Sequence, residues 1–134
     1  MQRPRLALLD ASHGEPSTRR NFRRELDADL AEFDVTAGAL PPTFDYDGVV
    51  VTGSRSSVYS EEPWIEGLLD WVREAAEGGL PTLGVCFGHQ VLAEALGGEV
   101  ADMGEYELGY RTVRHRGGPL FSGVPEEFTV FTTH

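Results

Sequence analysis

The sequence contains no lysine, a single cysteine, no internal repeat and no long apolar run, and each absence excludes something. All 11 basic side chains are arginine, set against 22 acidic ones, for a formal net charge of -11. A chain so negative repels nucleic acid phosphates and anionic membrane faces, so neither is an expected partner. The acidic, lysine-free composition suits solubility in concentrated salt, where screening removes self-repulsion. A salt-loving source and a GC-rich genome favouring arginine both account for it. One cysteine excludes an internal disulfide framework and makes a reducing cytoplasm the natural location. No stretch approaches the roughly 20 apolar residues of a membrane helix. The opening MQRPRLALLD carries only a short apolar run ending at Asp10, a first strand rather than a signal peptide. The histidines (His13, His89, His115, His134) form no metal-ligating cluster with the cysteine or the acids, so no metal and no bound cofactor is expected.

What is present is a repeating alternation of strand-like and helix-like patterns. Arg5–Leu9 reads as a buried strand. Ser17 or Thr18 can cap a helix running to about Ala31, with Phe22, Leu26 and Leu30 on one face. Within it Arg19, Arg20, Arg23 and Arg24 precede Glu25, Asp27, Asp29 and Glu32, an order that opposes the helix dipole and reads as a solvated face. A strand is expected at Phe33–Thr36 and a β-branched one at Gly48–Thr52. Pro63–Glu77 has the apolar stripe Trp64, Leu68, Trp71, Ala75 of a helix closed by glycines. A strand at Thr82–Val85 and a helix at His89–Leu96 follow, then strands near Val100, at Tyr110–Arg114 and at Phe128–Thr132. This succession is that of an α/β fold with a doubly wound, mostly parallel sheet, read as one domain over residues 1–134.

Gly84-Val85-Cys86-Phe87-Gly88 lies where a buried strand turns into a helix. G-x-C-x-G in that context has the form of a nucleophile elbow with sulfur in place of the serine oxygen. The elbow glycines Gly84 and Gly88 stand where a Cβ would collide as backbone passes close to backbone. Cys86 would then occupy a helix N-terminus, which favours thiolate, beside the Phe87 N–H as an oxyanion donor. A lone cysteine is commonly a buried structural residue; the surrounding pattern favours the nucleophile.

GVCFGHQ resembles the nucleophile motif of class I, triad-type glutamine amidotransferases, and VTGSRSSVY resembles their glycine-containing oxyanion loop, most like that of GMP-synthase-like amidotransferase domains. The similarity continues through ALGGEV, ELGYRTV and PLFSGVPEEFTVFTTH. The resemblance implies a flavodoxin-like fold and a cytoplasmic cysteine hydrolase. In it Cys86 attacks the side-chain amide of glutamine, forming a γ-glutamyl thioester and releasing ammonia. It implies an oxyanion hole from Phe87 with Gly53 and Ser54, a substrate-binding Gln90, and a synthetase or other ammonia-acceptor domain as partner. Thr52-Gly53-Ser54-Arg55 departs from the Gly-Gly-Pro of many relatives, which leaves open the peptide that gives the second donor. The start LLDASHGEPSTRRNF lacks the Asp-Asn-x-x-Gln of dedicated GMP synthase subunits, so the likeness is to the family rather than to GMP synthesis.

A thiol of this kind needs a base, which the family supplies from a downstream His-Pro-Glu motif that this sequence does not contain. His134 resembles the Thr-His pair preceding the catalytic histidine; His13, His89 and His115 read as loop, helix-start and surface residues. The chain therefore reads as the N-terminal portion of such a domain, without the part bearing the catalytic His and Glu, and impaired as it stands. Three alternatives remain open. One is γ-glutamyl peptidase chemistry on a small γ-glutamyl substrate. Another is the aldehyde or oxidative-stress chemistry of thiol proteins of related fold, disfavoured by Gln90. The third is a non-catalytic pseudo-amidotransferase with a binding or regulatory role.

Overall fold

The structure, a computed structural model, describes residues 2–133, which divide between Val100 and Ala101 into two compact units. The first contains β1 (Arg5–Asp10), α1 (Pro16–Glu25), β2 (Asp29–Asp34), β3 (Gly48–Val51), α2 (Pro63–Glu77), β4 (Thr82–Gly84) and α3 (Phe87–Ala95). All four strands are parallel, in the order β2-β1-β3-β4. Ala7, Leu8 and Leu9 of β1 and Val49, Val50 and Val51 of β3 are buried in unbroken runs, as central parallel strands covered on both faces require. Side chains alternate between those faces. Ala7, Leu9, Val49 and Val51 join a core with Leu68 and Val72 of α2 and Phe87 and Val91 of α3, while Leu8 and Val50 turn the other way. Right-handed crossovers from β1 to β2 and from β3 to β4 leave the sheet centre in opposite directions, which puts α1 and α2 on opposite faces. The fold is thus the expected doubly wound one, and its order reverses between β1 and β3.

The chain departs from its local patterns at the first helix. The spacing of Phe22, Leu26 and Leu30 predicts a helix to Ala31; α1 instead stops at Glu25, and the strand expected at Phe33–Thr36 begins at Asp29. Pairing with β1, from Arg5↔Asp29 to Asp10↔Asp34, draws Leu30 into the sheet, and the weak helix formers Asp27 and Asp29 offer little resistance. The early stop also reverses the electrostatic reading, because Arg23 and Arg24 now occupy the last helical turn, where cations are favourable. Nor are the arginines simply solvated. Arg19 Nε donates to buried Asp10 at 2.7 Å, and Arg23 Nε donates to Glu32 at 2.6 Å. Burial pushes the Asp10 carboxyl up, but hydrogen bonds from Ser12 and Arg19 outweigh it and hold the group below its ordinary value. Arg23 does the same for Glu32.

Other differences are smaller. In α2 the buried stripe is Ile65, Leu68, Trp71, Val72 and Ala75, with Trp64 half-buried at its edge. No strand forms at Val100, whose N–H instead donates to Glu94 Oε1 at 3.2 Å. The second unit is a hairpin of β5 (Leu108–Arg114) and β6 (Glu127–Thr133), antiparallel from Leu108↔Thr133 to Arg114↔Glu127. Its connection is braced by His115, whose Nδ1 accepts the Gly117 N–H at 3.0 Å. That fixes the proton on Nε2, which donates to the Val124 carbonyl at 3.1 Å while the ring stacks on Phe121. His134 lies outside the described residues. No helix among the described residues is long and apolar enough to cross a membrane.

Candidate functional site

β4 ends and α3 begins within two residues, and Cys86 makes the bend. Its backbone sits at φ 56°, ψ −108°, and only His13 among the other described non-glycine residues has a positive φ. Such a conformation costs of order 1–3 kcal/mol and persists only where the surroundings over-determine it. Here the surroundings are backbone. A Cβ on Gly84 would lie 2.3 Å from the Gly88 carbonyl oxygen, and one on Gly88 would lie 2.2 Å from the Val51 carbonyl oxygen. Both glycines are therefore required for α3 to sit down on β3 and drive the bend. The thiol is free and exposed, above the carboxyl edge of the sheet. Cys86→Gly relaxes the strained dihedral, and we expect it to raise unfolding stability by about 1 kcal/mol in urea titration.

The segment leaving β3 passes directly beside the cysteine: a Cβ on Gly53 would stand 3.7 Å from Cys86 Cβ. Thr52, fully buried, fixes this segment. Its Oγ1 accepts the Ala11 N–H at 2.9 Å and donates to the Gly53 carbonyl at 2.9 Å. Because a trans peptide holds C=O and N–H antiparallel within one plane, fixing the Gly53 carbonyl also fixes the direction of the Ser54 N–H. The amides of Gly53, Ser54 and Phe87 make no backbone hydrogen bond among the described residues. Gln90 lies one helical turn past Cys86, and its Oε1 accepts the Val58 N–H at 3.3 Å. It thus clips the β3–α2 loop to α3 and leaves its amide nitrogen uncommitted among the described residues.

Two histidines behave as helix-start and loop residues can, with one surprise. His89 is exposed, and its backbone N–H bonds to the Cys86 carbonyl. His13, which reads as a solvated loop residue, is half-buried: Nε2 lies 2.8 Å from Ser56 Oγ, and the ring meets Trp64 edge-on at 5.6 Å. Trp64 in turn leans on Phe87, the residue after the cysteine. Glu62, whose Oε1 accepts from Trp64 Nε1 at 3.3 Å, is held below the usual carboxylate range, chiefly by the Ser56 hydroxyl and then by Trp64, with His13 and Arg55 nearby. No motif announces this cluster, because its members come from the loops after β1 and β3 and from the starts of α2 and α3, which only the fold brings together. Among the described residues no group of three or more His, Cys, Asp or Glu side chains is placed to hold a metal ion.

Between the carboxyl ends of β1 and β3 lies an open cavity of about 360 Å³, lined by Ser12, His13, Glu15, Thr18, Gly53, Ser54 and Arg55. Gly53 is thus a wall of the cavity and a neighbour of Cys86 at once.

Known proteins resemble this chain in sequence and in fold. A GMP synthase [glutamine-hydrolyzing] of Thermomicrobium roseum is 42% identical over 88 residues, 65% of this chain but only 16% of that relative, so the chain spans about a sixth of its length. A glutamine amidotransferase structure from Thermotoga maritima superposes with a TM-score of 0.80 at 24% identity, covering 100% of this chain and 61% of that one. A glutamine amido transferase from Methylobacillus flagellatus superposes with a TM-score of 0.73 at 25% identity, covering 100% of this chain and 56% of that one. The family described as glutamine amidotransferase class-I matches residues 15–134, and with that span, fold and turn the chain belongs to the class I glutamine amidotransferases.

Proposed function

We propose that Cys86 is the acceptor of a γ-glutamyl group taken from the side-chain amide of glutamine. The thiol sulfur attacks the γ-carbonyl carbon, the carbon–nitrogen bond breaks, and the nitrogen leaves as ammonia with the thiol proton. Water then cleaves the thioester to glutamate and returns a proton to sulfur. The observation that carries this reading is the exposed thiol on a strained, backbone-enforced bend, with Gly53 beside it and the amides of Phe87, Gly53 and Ser54 without a hydrogen bond among the described residues. In this reading Phe87 N–H and Ser54 N–H receive the oxyanion, the second because Thr52 holds its peptide plane. The uncommitted amide nitrogen of Gln90 binds substrate. Attack by a thiol on an amide calls for no cofactor.

The sequence has no His-Pro-Glu motif, so the reading assigns to this chain the attack and the oxyanion and assigns the general base to none of its residues. The kinship with a glutamine-hydrolysing GMP synthase supports a synthetase domain or subunit as the consumer of the ammonia.

A diazoketone analogue of L-glutamine tests the assignment. It should add once, at Cys86, as located by peptide mass spectrometry, and not at all in Cys86→Ala. Ready alkylation of Cys86 by iodoacetamide with no diazoketone adduct would instead favour a pseudo-amidotransferase or another thiol chemistry.

A further inference from the structure

His13 shares with Cys86 a backbone held at φ 56°, and no other described non-glycine residue has a positive φ. Glycine would take that conformation without strain, so the imidazole stands in the loop after β1 against a cost. Two contacts hold its ring. Nε2 lies 2.8 Å from Ser56 Oγ, in the loop after β3, and the ring meets Trp64 edge-on at 5.6 Å, at the start of α2. Each contact leads towards one of the two N–H groups read above as oxyanion donors.

On one side is the Ser54 N–H. Thr52 Oγ1 holds the Gly53 carbonyl, but a single bond at that oxygen leaves the rigid peptide plane free to tilt about it. A second hold comes from beyond Ser54. The Ser54 hydroxyl accepts the Ser56 N–H at 3.1 Å, and Ser56 Oγ is the atom that His13 engages. Packing does not replace this hold, because Gly53, Ser54 and Arg55 line the open cavity of about 360 Å³. The next anchor along the loop is Val58, whose N–H donates to Gln90. On the other side is the Phe87 N–H. The Trp64 ring that meets His13 also lies 5.5 Å, centroid to centroid, from the Phe87 ring.

We infer that His13 is a positioning residue for the oxyanion site: its imidazole braces the Ser54 peptide through Ser56 and abuts, through Trp64, the residue that carries the other donor. The inference rests on the reading of Cys86 above and adds a residue to it. In this role His13 moves no proton; it keeps two N–H groups from different elements aimed at one point.

A chloroketone analogue of L-glutamine tests it on the whole chain. Its ketone oxygen takes the place of the glutamine amide oxygen, so its maximal labelling rate reads the two donors as sulfur bonds to carbon and chloride leaves. Iodoacetamide, which sulfur attacks at a methylene carbon, develops no oxyanion and reads the thiol alone. His13→Ala and Ser56→Ala should each lower the maximal chloroketone rate about ten-fold, with the half-saturating concentration and the iodoacetamide rate within about two-fold of the parent's. The double variant should be no slower than the slower single one, because both cut the same contact. An unchanged chloroketone rate in His13→Ala overturns the assignment, as do losses that multiply in the double variant or an equal fall with both reagents. If the parent is alkylated by iodoacetamide but never labelled by the chloroketone, the reading of Cys86 falls and takes this inference with it; if the parent is labelled and His13→Ala matches it, the role of His13 alone falls.

Discussion

Gly88→Ala is expected to destabilise the chain by about 4 kcal/mol or more in chemical denaturation, a large share of the roughly 5–15 kcal/mol that holds a domain together. The added methyl would sit 2.2 Å from the Val51 carbonyl oxygen and 2.8 Å from its carbonyl carbon. These are backbone atoms of a central strand, so relief requires α3 to lift off β3 and take the bend at Cys86 with it. Gly84→Ala should behave similarly, since its methyl would meet the Gly88 carbonyl at 2.3 Å. Gly67→Ala is the control. It lies within α2, its methyl would approach nothing nearer than Leu40 Cδ1 at 3.8 Å, and it should gain about 1 kcal/mol from helix propensity. A Gly88→Ala chain as stable as the parent would mean that α3 does not rest on β3.

Asp10→Asn is expected to cost about 2 kcal/mol at neutral pH, because it removes the charge-assisted bond at the buried end of β1 and leaves the partly exposed Arg19 guanidinium to Glu32 alone. The pH dependence follows from the direction of the shifts. The folded-state values of Asp10 and Glu32 both lie below the unfolded ones, so the unfolded chain binds more protons in the interval between them. Their stabilisation is complete above the unfolded carboxylate range, about 3.9 to 4.3, and is lost as pH falls through the folded values. Denaturation midpoints of the parent should therefore drop steeply below about pH 4, and those of Asp10→Asn more gently. Parallel curves would contradict the pairing.

These two substitutions also separate what is legible in the sequence from what is not. The bend at Cys86 is written locally: only glycine fits at positions 84 and 88, and a buried run before them with a helix pattern after them leaves one way for the chain to turn. The β-branched run of β3 and the capped, striped α2 are equally local. The α1–β2 boundary is not, because Leu30 satisfies the helical spacing and the strand alternation alike, and only its place opposite Leu6 decides between them. The contact of His13 with Ser56 spans 43 residues and that of Gln90 with Val58 spans 32, so neither leaves a periodic trace. Thr52 carries no signal either: a threonine ending a strand reads as β propensity, while its hydroxyl in fact ties β1 to the loop beside the cysteine.

The most direct measurement is the rate at which iodoacetamide alkylates Cys86 in the whole chain as L-glutamine is added. A thiol that faces a γ-glutamyl site will be shielded saturably by L-glutamine and not by D-glutamine. An alkylation rate that stays constant at every concentration of L-glutamine would mean that the bend exposes a cysteine and recognises no glutamine.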